Sequence, residues 1–209
     1  MIYISSSSVQ ARTIKEAIEI LIERGFSNIE LSGGTNYYDG LEEDLFELKE
    51  HYKLNLLCHN YFPAHNEHFV LNLASLNNEI YQKSVDHYIN AIRLSKKLGA
   101  GKYGLHAGYF VDIDVKEISK DLSGNGLFDK KKSMEKFCEG FNILKKEAEG
   151  LPLYIENNVL TYSNYNIYKS IKPFMLLSND EYLELKKKLD FNLLLDIGHL
   201  KVSANSLRL

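Results

Sequence analysis

Phe191-Asn-Leu-Leu-Leu-Asp-Ile-Gly-His199 decides how this chain folds. Its first half is the near-continuous apolar run of a strand covered on both faces. Its second half delivers Asp196 and, three residues on, His199 into the turn that follows. Three other strand-like segments end the same way: 54–57 runs into His59, 102–105 into His106, and 153–155 into Glu156. In a parallel α/β protein, the residues just past the C-terminal strand ends converge on one face, where barrel enzymes build their sites. His59, His106, Glu156, Asp196 and His199 are therefore expected in one pocket.

Working outward, short β-type runs alternate with longer helical patterns. Residues 2–5 read as a first strand and 9–24 as a helix, with Ile14, Ala17, Ile18, Leu21 and Ile22 at three- and four-residue spacing and Gly25 as its C-cap. Residues 28–31 and 54–58 read as the second and third strands, with a helix over 41–52 between them. A clear amphipathic helix over 78–98 leads to the fourth strand, and a helix over 131–149 leads to the fifth. Residues 111–129 read as a loop, and 157–177 as a long tyrosine-containing stretch without clear period. Ser178-Asn-Asp-Glu181 has the form of a capping box opening a short helix before the sixth strand, 191–195. This alternation predicts a parallel sheet with right-handed crossovers.

Composition bounds the reading. The net charge of −3 offers no general attraction for polyanions, so nucleic acid is not an expected partner without a local basic patch. Cys58 and Cys138 lie far apart, which argues against a disulfide framework or a structural zinc knot. The first residues, Met1-Ile-Tyr-Ile-Ser-Ser-Ser-Ser, lack the basic and apolar regions of a signal peptide, and no apolar run approaches a membrane span. A cytoplasmic location without membrane association is the expectation.

Six βα units are visible, the last breaking off in residues 203–209. A closed barrel needs eight. The expected fold is an incomplete TIM-type (β/α) barrel lacking its last two strands, a single C-terminally truncated domain over residues 1–209. Such an arc leaves two parallel edges exposed. A truncated chain, completion by another polypeptide and an open sheet all fit it.

The residues resemble the xylose isomerase-like TIM-barrel superfamily, which holds sugar isomerases and epimerases and the endonuclease IV type of abasic-site nuclease. The resemblance rests on Ile155-Glu156-Asn157-Asn158 and Leu195-Asp196-Ile197-Gly198-His199, with support from Gly25-Phe-Ser-Asn-Ile-Glu30 and Leu105-His106-Ala107-Gly108. The stretch from His59 through Asn72-Leu73-Ala74 to Leu98-Gly99 is similar to the nuclease branch. The resemblance implies that Glu156, Asp196 and His199 bind metal, that Glu156 moves the substrate proton, and that His199 takes part in catalysis and holds substrate. It implies that His59 and His106 line the pocket in the sugar enzymes and are metal ligands in the nuclease. The family's strand-7 histidine and strand-8 glutamate have no counterpart here.

A carboxylate–imidazole set suits Mn²⁺, Mg²⁺, Co²⁺ or Zn²⁺. The matching chemistry is polarisation of a carbonyl or hydroxyl while a carboxylate moves a proton on carbon. The leading expectation is thus a metal-dependent isomerase or epimerase of a sugar or sugar phosphate. The alternatives are an abasic-site DNA nuclease, and an inactive or partner-completed sugar-binding remnant that pairs with another chain or a second copy. Other readings stand beside these. A carboxylate after an apolar strand also caps the next helix, and a strand-end histidine often only bonds a nearby carbonyl. Tyr109 is expected to contact substrate, although loop tyrosines also pack loops onto barrels. Glu30 is expected either to hold a pocket arginine or lysine or to be structural. Cys58 reads as a small core residue, His65 and His68 as local loop residues, and His51 and His87 as surface or half-buried helix positions.

Overall fold

The computed structural model describes residues 1–64, 69–118, 120–124, 126–169 and 171–208. His65 and His68 lie outside them. Strands and helices alternate: β1 (Ile4–Ser5), α1 (Ile14–Glu23), β2 (Asn28–Leu31), α2 (Leu41–Tyr52), β3 (Asn55–Cys58), α3 (Asn78–Lys97), β4 (Tyr103–His106), α4 (Lys130–Glu147), β5 (Leu153–Glu156), α5 (Tyr162–Ile167), α6 (Asn179–Lys186), β6 (Asn192–Leu194) and α7 (Ile197–Leu207). All named strand pairs are parallel, in two three-stranded sheets ordered β1-β2-β3 and β4-β5-β6. The architecture is an arc of a TIM-type barrel, with six of the eight strands that close one.

The helices cover the strands' outer face through their apolar stripes. Ile14, Ile18 and Leu21 of α1, Tyr88 and Ile92 of α3, and Phe137, Phe141 and Leu144 of α4 join Ile29, Leu31, Leu105 and Ile155 in one core. No ladder joins β3 to β4 among the described residues. At that seam the Asn60 carbonyl, just past β3, accepts from His87 Nε2 of α3 at 2.8 Å and from the Tyr103 hydroxyl of β4 at 3.5 Å.

Several expectations change for identifiable reasons. Helix α1 starts at Ile14 rather than residue 9, because Thr13 and Glu16 form a reciprocal capping box that fixes the first turn there. The first strand shortens to two residues. The box read at Ser178 does not form: the Ser178 hydroxyl takes Lys172 Nζ at 3.3 Å, while the Glu181 carboxylate accepts from Leu177 N–H at 2.8 Å. The stretch read as aperiodic contains α5, capped by the Thr161 side chain. Strand β6 is not covered on both faces. Among the described residues it pairs on one side only, Leu193 and Leu194 are half-buried, and Leu195 and Ile197 are 51% and 60% exposed.

Beyond β4 the chain is held down tightly. Residues 108–110 exchange backbone bonds with 173–175: Met175 N–H donates to Gly108 O, and Phe110 N–H to Pro173 O. A side chain at Gly108 would collide with the Ala74 methyl and the Met175 sulfur, so glycine alone fits that approach. The buried Asn158 amide clamps the same junction, its Nδ2 lying 3.1, 3.0 and 3.0 Å from the carbonyls of Ala107, Gly108 and Met175. Replacing it leaves buried acceptors unsatisfied. Asn158→Leu should lower the stability measured by urea unfolding by about 2–4 kcal/mol. An unchanged unfolding midpoint would show that the clamp is dispensable.

Candidate metal centre

Register positions the site. His106 pairs with Glu156, and Glu156 with Leu194, so the C-terminal ends of β4, β5 and β6 are level. Ser5, Glu30 and Leu57 are level in the other sheet. Above these ends lies a cleft of about 980 Å³. Glu30, His59, Tyr61, Glu156 and Asp196 face it, and Ser5, Ser7, Ser32, Thr35 and Asn36 line its wall. No lysine or arginine lines it among the described residues. A smaller chamber of about 230 Å³ shares Glu30, His59 and Glu156 and adds Asn60 and Lys102.

Glu156, Asp196 and His199 each offer one ligand atom, and these atoms lie within 4.8 Å of one another. Glu156 is 8% exposed, with Oε1 3.7 Å from His199 Nδ1 and Oε2 3.7 Å from His106 Nδ1. Burial, reinforced by the Asp196 and Glu30 carboxylates, pushes its acid form up to about 7. No helix starts at Glu156, so capping does not explain its placement.

Asp196 does cap: it is the N-cap of α7, its Oδ1 accepting from His199 N–H at 2.7 Å. The capping and ligand readings are compatible, because they use different oxygens. Oδ2 faces His199 Nε2 at 3.8 Å. His199 Nδ1 lies 2.8 Å from the Asn157 carbonyl. A carbonyl only accepts, so Nδ1 carries the proton and the Nε2 lone pair is free to bind a cation. Two carboxylate oxygens, one of them buried, and a half-buried imidazole nitrogen with its tautomer set by Asn157 fit a divalent ion.

The other expected contacts divide. His106 stacks on His199 at 5.8 Å between ring centroids, and His59 stands edge-on to His106 at 6.3 Å. Burial first, then the neighbouring imidazoles, drives His106 down to about 3, and burial also lowers His59. Both rings are held neutral. Tyr109 stands one layer back, its ring edge-on to Phe174 at 5.2 Å and its hydroxyl toward Tyr61, which takes the cleft wall. Tyr109 lines a separate cavity of about 290 Å³ with Asn72 and Asp112. Glu30 has no lysine or arginine salt bridge among the described residues and instead adds negative charge beside Glu156. Cys58 is buried core, its thiol pushed up to about 12 by burial, which leaves it unreactive.

Sequence reasoning missed three residues. His87, read as surface or half-buried, is 2% exposed and lines the cleft, because Asn60 draws its imidazole inward. The Asn60 side-chain amide is buried without a hydrogen-bond partner among the described residues and borders the small chamber. Asn157 binds the backbone of Asp196. The one visible signal was the Asn157-Asn158 pair after an apolar strand, where buried amides must have structural partners.

No curated protein sequence matches the chain. Solved structures share its fold. A D-tagatose 3-epimerase-like protein superposes with a TM-score of 0.67 at 21% identity, over 94% of this chain and 65% of its own. D-psicose 3-epimerase with D-tagatose from Clostridium cellulolyticum gives a TM-score of 0.59 at 19% identity, over 98% and 70%. Endonuclease IV from Thermus thermophilus gives 0.57 at 14% identity, over 98% and 69%. The chain spans about two thirds of the length of each of these structures. The family described as xylose isomerase-like TIM barrel matches residues 16–205, and the chain belongs to that family.

Proposed function

We propose that the chain carries a divalent metal centre on Glu156, Asp196 and His199 and serves an isomerase or epimerase acting on a sugar. The carrying observation is Glu156, which is at once a member of the ligand cluster and a buried carboxyl with a pKa of about 7. Burial and the neighbouring carboxylates raise its basicity in the metal-free site, and a bound cation would lower it again, leaving Glu156 ionised as the base at neutral pH. The bound ion, Mn²⁺, Mg²⁺, Co²⁺ or Zn²⁺, supplies Lewis-acid polarisation of a substrate oxygen. As the base, Glu156 would take the proton from the carbon beside the carbonyl to leave an enediolate. Return of that proton to the neighbouring carbon, with the hydroxyl proton passing to the former carbonyl oxygen, would complete an isomerisation, whereas epimerisation would need a second acid on the opposite face. His59, held neutral and facing the cleft, hydrogen-bonds a substrate hydroxyl, while His106, also neutral, stands behind it against Glu156 and His199. The serine, threonine and asparagine wall presents further donors and acceptors to a polyol. The epimerase structures named above are likewise those of enzymes named for ketoses.

A second reading, an abasic-site nuclease, is favoured by the three neighbouring imidazoles of His59, His106 and His199 and by the likeness to endonuclease IV. The acidic cleft without lysine or arginine among its described residues weighs against a polyanionic substrate.

Elemental analysis of the purified chain should find close to one metal ion per chain, lost in both Glu156→Gln and Asp196→Asn. Ketose interconversion should fall by at least about a thousandfold in Glu156→Gln. Retained turnover there would remove Glu156 from proton transfer, and cleavage of abasic DNA by the wild type would favour the nuclease.

Protonation gives a second test. The folded-state value of Glu156 lies above its ordinary 4.5, so in the metal-free chain the unfolded state loses its proton first as pH rises. Stability should therefore decline between 4.5 and about 7, by on the order of 3 kcal/mol relative to Glu156→Gln. Metal affinity should rise over the same window. Parallel pH profiles for the wild type and Glu156→Gln in urea unfolding would contradict the assignment.

A further inference from the structure

Asn157 makes three contacts that converge on the two ligands following β6. Its Oδ1 accepts from the Asp196 backbone N–H at 2.7 Å, and its Nδ2 donates to the Asp196 carbonyl at 3.1 Å. Its own carbonyl accepts from His199 Nδ1 at 2.8 Å. The residue is buried, so these bonds compete little with water.

We infer that Asn157 is the positioning residue of the metal centre: its amide fixes the main chain of Asp196 while its carbonyl selects the His199 tautomer with Nε2 unprotonated. The inference rests on the metal centre proposed above. The β5–β6 ladder ends at Glu156 and Leu194, and α7 begins at Ile197. Asp196 is the joint between them, where neither ladder nor helix holds its N–H. A primary amide carries an acceptor and a donor side by side, so it reproduces across that joint the pair of bonds a strand would make. Asp196 Oδ1 is committed to the His199 N–H, so the direction of Oδ2 follows from the backbone that Asn157 holds. Leucine has similar bulk and neither bond, and aspartate keeps the acceptor but loses the donor.

The sequence supports the assignment by its economy. Glu156 and Asn157 are adjacent, so the base and the residue that orders the remaining ligands move as one unit of β5.

The test uses the metal-free 209-residue chain with its histidines labelled with ¹⁵N. Imidazole shifts should show His199 in the Nδ1–H form in the wild type. Asn157→Leu keeps the main-chain carbonyl and so that tautomer, but frees the Asp196 main chain, and Mn²⁺ binding by calorimetry should weaken about tenfold to a hundredfold. Asn158→Leu, which perturbs the neighbouring clamp, should keep Mn²⁺ affinity despite its lower stability. An Nε2–H form in the wild type overturns the inference without recourse to any variant. So does unchanged Mn²⁺ affinity in folded Asn157→Leu, or an equal loss of affinity in folded Asn158→Leu. Absence of Mn²⁺ binding by the wild type overturns the metal centre itself and is separate from the tautomer, which tests Asn157 alone.

Discussion

Parallel register is the constraint on which the rest depends. In-register parallel strands send equivalent residues to the same face and end at the same height. With His106 opposite Glu156 and Glu156 opposite Leu194, each chain segment leaves its strand at a common level and reaches the cleft within one or two residues. A slip of one residue would turn Glu156 outward into the helix layer and leave Ile155 in its place. The core residues on the other face of each strand, Leu105 and Ile155 among them, hold that register by burial. Packing behind the sheet therefore sets chemistry in front of it.

The cleft concentrates negative charge to a degree that the whole chain does not. Glu30, Glu156 and Asp196 share its walls, while His59 and His106 stay neutral. Carboxylates that close raise one another's proton affinity, and the buried one takes most of the shift. The raised value of Glu156 records its burial first and that crowding second. The divalent cation proposed above would offset both.

Much of this was legible in the sequence, for reasons that differ by element. The strands and long helices declare themselves by period, and α3 and α4 fall within one or two residues of the helical pattern. Glu156, Asp196 and His199 could be read together because strand-end placement in a parallel fold is a topological rule rather than a local propensity. Local signals failed where two side chains compete for one partner. The Ser178 sequence has the letters of a capping box, yet Lys172 and Leu177, both outside it, claim its two polar groups. His87 looked solvated because its partner, the Asn60 carbonyl, is 27 residues away in sequence. The seam between the two sheets is invisible for the same reason, since it is defined by a ladder that β3 and β4 do not make.

Strand β6 has one further consequence. Among the described residues its outer edge carries no partner, and the leucines beside it stand half in water. A strand laid against that edge in parallel would take its height from β6, as β6 takes its own from β5. Its last residue would then come to rest next to Asp196, on the side of the ligand cluster that this chain leaves unwalled. The identity of that neighbour would decide whether the cluster gains another donor, a second proton carrier or a plain apolar screen. One edge of one short strand is thus the point at which the surroundings of the Glu156, Asp196 and His199 cluster would be set.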